Sequence, residues 1–95
     1  MDRLQAMKVF TRVVETNSFS RAADTLDLPR ASVTTIIQNL EAHLKVRLLQ
    51  RTTRRLSLTP DGAAYYERCV RILADIELMV GFGDKPVDLI QEGVD

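Results

Sequence analysis

The stretch that most constrains this chain runs from Ser18 to Thr59, SFSRAADTLDLPRASVTTIIQNLEAHLKVRLLQRTTRRLSLT. Two helical patterns meet there at a proline-marked break, and a cationic loop between two leucine-rich stretches follows. Ala22, Ala23 and Leu26 give the first helix its buried side. Ser20 stands where its hydroxyl can cap that helix by accepting from an otherwise orphaned backbone N–H. Leu28 packs beneath the turn. Pro29 disfavours helix in the residue before it and suits the first turn of the next helix, so Asp27-Leu28 is the break.

The helix over about 29–44 has two faces. Val33, Ile36, Ile37, Leu40 and Leu44 lie on one; Ala31, Thr34, Thr35 and Gln38 lie on the other, at i, i+3, i+4 and i+7. Small and hydroxyl-bearing side chains on the outer face allow a close backbone approach to base edges. Gln38 is of the type that reads adenine, and Arg30, at the helix start with Ala31 and Ser32, is expected to reach guanine. Taken alone, the same pattern also describes an ordinary amphipathic surface helix. Beyond it, Arg51-Thr52-Thr53-Arg54-Arg55 sits between the strand candidates Leu48-Leu49 and Leu56-Ser57-Leu58 with no acid among them. A solvated hairpin tip is the bland alternative; contact with phosphates or a minor groove fits three crowded arginines better.

Helices flank this unit. Leu4, Met7, Phe10 and Val14, widened by Ala6, Val9 and Val13, predict a helix over 3–16 that Asn17 and Ser18 end. Thr59-Pro60-Asp61-Gly62 opens a fourth, with Thr59 as cap, Pro60 at the favoured first position and Asp61 complementing the positive helix end. Tyr65, Cys69, Ile72, Ile76 and Met79 form one apolar stripe on it; Tyr66, Val70, Leu73 and Val80 form a second. One stripe can lean on its own domain and the other on a second chain. Burial of both within one monomer is the alternative, but 95 residues offer little surface to cover both. Tyr66, Val70, Ile72, Leu73 and Ile76 are the expected dimerisation residues.

That order of elements predicts a mainly α fold: three helices and a short β-hairpin forming a winged helix-turn-helix over 1–59, then a long linker and dimerisation helix over 60–80. Gly81 and Gly83 are expected to break that helix, leaving a tail over 81–95. The net charge is zero but segregated. Residues 1–60 hold ten bases against five acids, and residues 61–95 hold three against eight. A basic face joined to an acidic remainder suits DNA binding, which follows the local potential.

Other chemistry is thin. The single cysteine, Cys69, cannot form an internal disulfide; a core or dimer-seam position suits it better than redox sensing, and its solitude points to a reducing compartment. His43 near a helix end complements the dipole. No metal-ligand spacing, P-loop or activated nucleophile appears, so neither an enzyme nor a cofactor is expected. No apolar run approaches a membrane span of about 20 residues and the start is too polar for a signal peptide. The expected location is the cytoplasm, with no membrane partner.

The chain from Arg3 to about Ala74 resembles the DNA-binding domain and linker helix of the LysR-type transcriptional regulators. Phe10, Val14, Ser18-Phe19-Ser20, Ala22-Ala23, Leu26-Asp27-Leu28, Val33-Thr34, Ile37 and Leu40-Glu41 carry the likeness. Arg47-Leu48-Leu49, Arg51, Leu58-Thr59 and Gly62 extend it. The resemblance implies a bacterial regulator whose dimer docks two recognition helices on a partly palindromic double-stranded operator. It places Ser18, Arg30, Ala31, Thr34 and Thr35 on DNA, and Arg51, Thr53 and Arg54 in the wing; Arg55 completes the loop.

Three positions depart from the family pattern. The usual proline one residue after Arg30 is Ala31 here, with Pro29 before it. Lys45 replaces a usual glycine at the end of the recognition helix. After Ala74 the sequence jumps to a stretch resembling an interior piece of the effector-binding domain, as in an internally deleted or truncated regulator, with an independent small regulator carrying its own tail as the alternative; no inducer binding is expected of such a tail. The alternative role is an oligomerisation fragment that pairs with full-length regulators and poisons their assembly.

Overall fold

A computed structural model describes residues 2–51 and 55–84, with side chains through Leu78. Asp2 caps helix α1 (Arg3–Thr16), its carboxylate accepting from Gln5 N–H at 3.0 Å. Asn17 closes α1 in the left-handed conformation, φ 54°, which asparagine tolerates better than most residues. The cap of α2 (Phe19–Leu26) is Ser18 rather than the expected Ser20: its hydroxyl accepts from Arg21 N–H at 3.1 Å. The extended backbone of Ser18 leaves its side chain free to turn back on the helix, and burial of Phe19 draws the helix start two residues forward.

The turn after α2 closes on its last carbonyls. Asp27, left-handed at φ 59°, donates its N–H to Ala23 and Asp24 carbonyls, and Leu28 N–H reaches the Ala23 carbonyl at 3.0 Å. Pro29 then stands one residue outside α3 (Arg30–Leu44), its extended backbone presenting its carbonyl to Ser32 and Val33 N–H. The helix therefore begins at Arg30, one residue later than the pattern predicts. Lys45 ends it at φ 60°, the left-handed conformation that a glycine would adopt freely.

Strands β1 (Leu49–Arg51) and β2 (Leu56–Leu58) pair antiparallel, with Leu49 opposite Leu58 and Arg51 opposite Leu56. The first strand is one residue later than expected. Leu48 gives its N–H to the Glu41 carboxylate at 2.8 Å and its carbonyl to Thr59 N–H at 3.0 Å. Thr59 caps α4 (Pro60–Asp84) as predicted, accepting from Gly62 N–H at 2.8 Å, while donating its own proton to the Arg47 carbonyl at 2.6 Å. The helix does not stop near Val80; its backbone stays helical through Gly81 and Gly83 to Asp84. Each glycine weakens a helix by about 1 kcal/mol without forbidding it, and the next proline in the chain is Pro86. The rest of the predicted tail, 85–95, lies outside the described residues.

All four helices contribute to one core. Ala6, Val9, Phe10 and Val13 of α1 meet Ala22 and Ala23, then Val33, Ile37 and Leu40, with Leu48 and Cys69 closing the set. Phe10 is the hub: its ring lies 5.6 Å from Tyr65 and 6.4 Å from Tyr66, in the tilted and edge-on arrangements aromatic rings favour. At the rim, Arg3 donates to His43 at 2.6 Å. A guanidinium can only donate, so the imidazole nitrogen is the acceptor in this contact. No helix among the described residues is long and apolar enough to cross a membrane.

Candidate nucleic-acid interface

Burial of Val33, Ile37 and Leu40 turns the opposite side of α3 outward. Ala31, Thr35 and Gln38 are exposed there, and Ser32 and Thr34 are half-covered. Arg30 is exposed at the head of the helix and, among the described residues, has no carboxylate within ion-pair distance. The outer face read from the sequence is thus assembled by the fold, with Thr34 nearer its edge than its centre. Ile36 and Leu44 are only partly buried on the other side.

Ser18 does two things at once. One lone pair of its hydroxyl accepts from Arg21 N–H, and a hydroxyl retains a proton it can donate elsewhere. Its carbonyl lies 3.0 Å from Thr16 Oγ1, whose single proton it shares with the Arg12 carbonyl at 2.8 Å. The wing begins at Arg51, exposed at the end of β1, with its guanidinium carbon 4.6 Å from the centroid of the Phe19 ring. Arg55 is also exposed and is engaged in an interaction of its own. Thr53 and Arg54 lie outside the described residues.

Residues that periodicity did not single out hold these parts in register. The Glu41 carboxylate, on α3, accepts from Leu48 N–H at 2.8 Å and from Leu49 N–H at 3.1 Å, lashing the recognition helix to the wing root. Glu41 is one of few acids in the basic half of the chain, and that isolation was its available signal. Gly62 sits so close to the hairpin root that a Cβ there would lie 2.0 Å from the Leu48 carbonyl oxygen. Only glycine allows that contact between α4 and the wing.

The apolar residues of α4 divide differently from the two expected stripes. Tyr65, Tyr66, Cys69 and Leu73 pack against the chain's own core. Val70 and Ile72 are 43% and 41% exposed, and Ile76 is half-buried. At about 100° per residue, Val70 and Ile72 flank the buried arc on opposite edges. The fold takes the centre of the combined arc and leaves its margins open, because both stripes border the same groove beside α1. Burial pushes the Cys69 thiol up, partly opposed by the neighbouring Tyr65, so the group stays a protonated, core-packed thiol.

Residues 4–63 match the profile of the bacterial regulatory helix-turn-helix proteins of the lysR family. The chain belongs to the LysR family. An HTH-type transcriptional repressor of Pseudomonas aeruginosa (strain UCBPP-PA14) is 54% identical to this LysR-family chain over 77 residues, 81% of this chain and 24% of the repressor. The BenM DNA-binding domain, solved in complex with catB site 1 DNA, is similar at a TM-score of 0.86 and 33% identity. That match covers 93% of this chain and 98% of that one. The CbnR DNA-binding domain, also solved with DNA, matches at a TM-score of 0.75 and 36% identity, over 90% of this chain and 93% of that one. The architecture is therefore the winged helix-turn-helix of LysR DNA-binding domains. The chain spans about a quarter of the length of the curated relatives it matches.

Proposed function

We propose that this chain reads double-stranded DNA sequence-specifically as the DNA-binding part of a LysR-type transcriptional regulator. The observation that carries this is the outer face of α3, where exposed Ala31, Thr35 and Gln38 stand beside Arg30 on a fold similar to domains solved on DNA. In this reading α3 enters the major groove with Arg30, Ala31, Ser32, Thr34, Thr35 and Gln38 facing base edges and adjacent phosphates. Ser18 donates to a phosphate at the N-terminus of α2, and Arg51 with the remainder of the wing, Thr53, Arg54 and Arg55, grips the flanking backbone or minor groove. Two copies joined along α4 in the bacterial cytoplasm would present two such helices to a partly palindromic operator.

Selection of bound duplexes from a random pool at near-physiological salt tests this. An enriched inverted repeat with half-sites one helical turn or a multiple apart is expected. Arg30→Ala should then weaken binding about ten-fold and relax preference at one position of each half-site, the loss of one bidentate base contact. Weak, unpatterned binding that ignores Arg30 would refute the reading.

A further inference from the structure

We infer that Phe19 is a positioning residue for Arg51, orienting the first cation of the wing before DNA arrives. The two are distant in sequence: Phe19 opens α2 and Arg51 ends β1. The ring is 5% exposed, held by the core, while the guanidinium lies over it at 4.6 Å on the open side. A cation above a ring face is attracted by the ring quadrupole without surrendering any N–H. Among the described residues no carboxylate pairs with this guanidinium, so the ring holds the cation without taking the two N–H groups that a bidentate carboxylate would use, and they stay free for phosphate oxygens.

The surroundings fit that use. Glu41 lines the same recess as Phe19 and Arg51, but its Oε2 is committed to the N–H groups of Leu48 and Leu49. Glu41, the sole acid of α3, holds the wing root through that oxygen and forms no ion pair with Arg51 among the described residues; the aromatic face holds the cation. An arginine on a bare strand end would have to be ordered at the moment of binding; on the ring much of that ordering precedes it.

The inference rests on the DNA-binding reading, and its test separates the two. Phenylalanine analogues of increasing fluorination at position 19 keep the ring's shape while draining its face of electron density. The duplex recovered from the selection should then bind about two- to five-fold more weakly with the fully fluorinated ring. The salt dependence should keep its slope, because Arg51 remains a cation; Arg51→Ala should lower that slope by about one. In the Arg51→Ala background fluorination should change nothing. Phe19→Leu, checked by thermal melting for a folded chain, should show the same non-additivity. Unchanged affinity across the fluorinated series, or equal losses with and without Arg51, overturns the positioning role alone. If the unsubstituted chain enriches no sequence, the DNA-binding reading fails and this inference falls with it.

Discussion

Lys45 and Gly62 are the two residues whose backbone surroundings most restrict what can replace them. Three described non-glycine residues have positive φ: Asn17, Asp27 and Lys45, each just past a helix end. Asparagine and aspartate tolerate that region; lysine gains nothing from it. Lys45→Gly relieves a cost of about 1 to 2 kcal/mol and loses part of it to a more flexible unfolded chain. A net gain of about 0.5 to 1 kcal/mol is expected, and a lowered thermal midpoint for that variant would contradict it. Gly62→Ala works the other way. Alanine favours helix by about 1 kcal/mol, but its Cβ would meet the Leu48 carbonyl oxygen at 2.0 Å. Backbone has to yield, so the overlap should win and destabilise by about 2 kcal/mol in urea titrations. A stabilised Gly62→Ala variant would show that the hairpin root is looser than the close approach implies.

Among the elements, the wing depends most on a single side chain. Its strands span only Leu49–Arg51 and Leu56–Leu58, and a hairpin that short has little stability of its own. Glu41 supplies what the ladder lacks, two charge-assisted hydrogen bonds to Leu48 and Leu49. Glu41→Ala leaves both N–H groups without that acceptor, one of them on fully buried Leu48. The expected loss is about 2 to 3 kcal/mol by chemical denaturation, with Glu41→Gln losing less because an amide oxygen still accepts. DNA affinity should fall further in Glu41→Ala than stability alone explains, since the wing would no longer hold a fixed spacing from α3. Full affinity in a folded Glu41→Ala chain would show that the wing is positioned by other contacts.

For the molecule as a whole, α4 decides how far the chain acts alone. Its inner arc is consumed by the chain's own core, and Val70 and Ile72 are left on the two margins. Since a partner helix can use either margin, Val70→Glu combined with Ile72→Glu removes both choices. The proposed homodimer should then sediment as a monomer, and binding to a two-half-site operator should weaken by at least about ten-fold, as paired half-sites no longer bind in concert. An unchanged sedimentation coefficient would place the dimer contact elsewhere. The charge asymmetry belongs to this scale too: ten bases fall in residues 1–60, the unit proposed to face DNA, while eight acids follow in 61–95.

What the sequence determined by itself was whatever local chemistry dictates. The four helices follow from apolar spacing, the break before Pro29 from its ring, and the start of α4 from Thr59 and Pro60. The outer face of α3 follows from the same periodicity, because a helix that buries Val33, Ile37 and Leu40 must expose Thr35 and Gln38. Long-range contacts fell to the tertiary structure. Ser18 rather than Ser20 caps α2 because Phe19 is buried. The stripes of α4 merge into one arc because a shared groove receives their centre. The Glu41 lashing, the Gly62 contact and the seating of Arg51 on Phe19 each join elements that no sequence period connects. Periodicity reports which side of an element is apolar; only packing decides which neighbour that side, or a lone charge beside it, will meet.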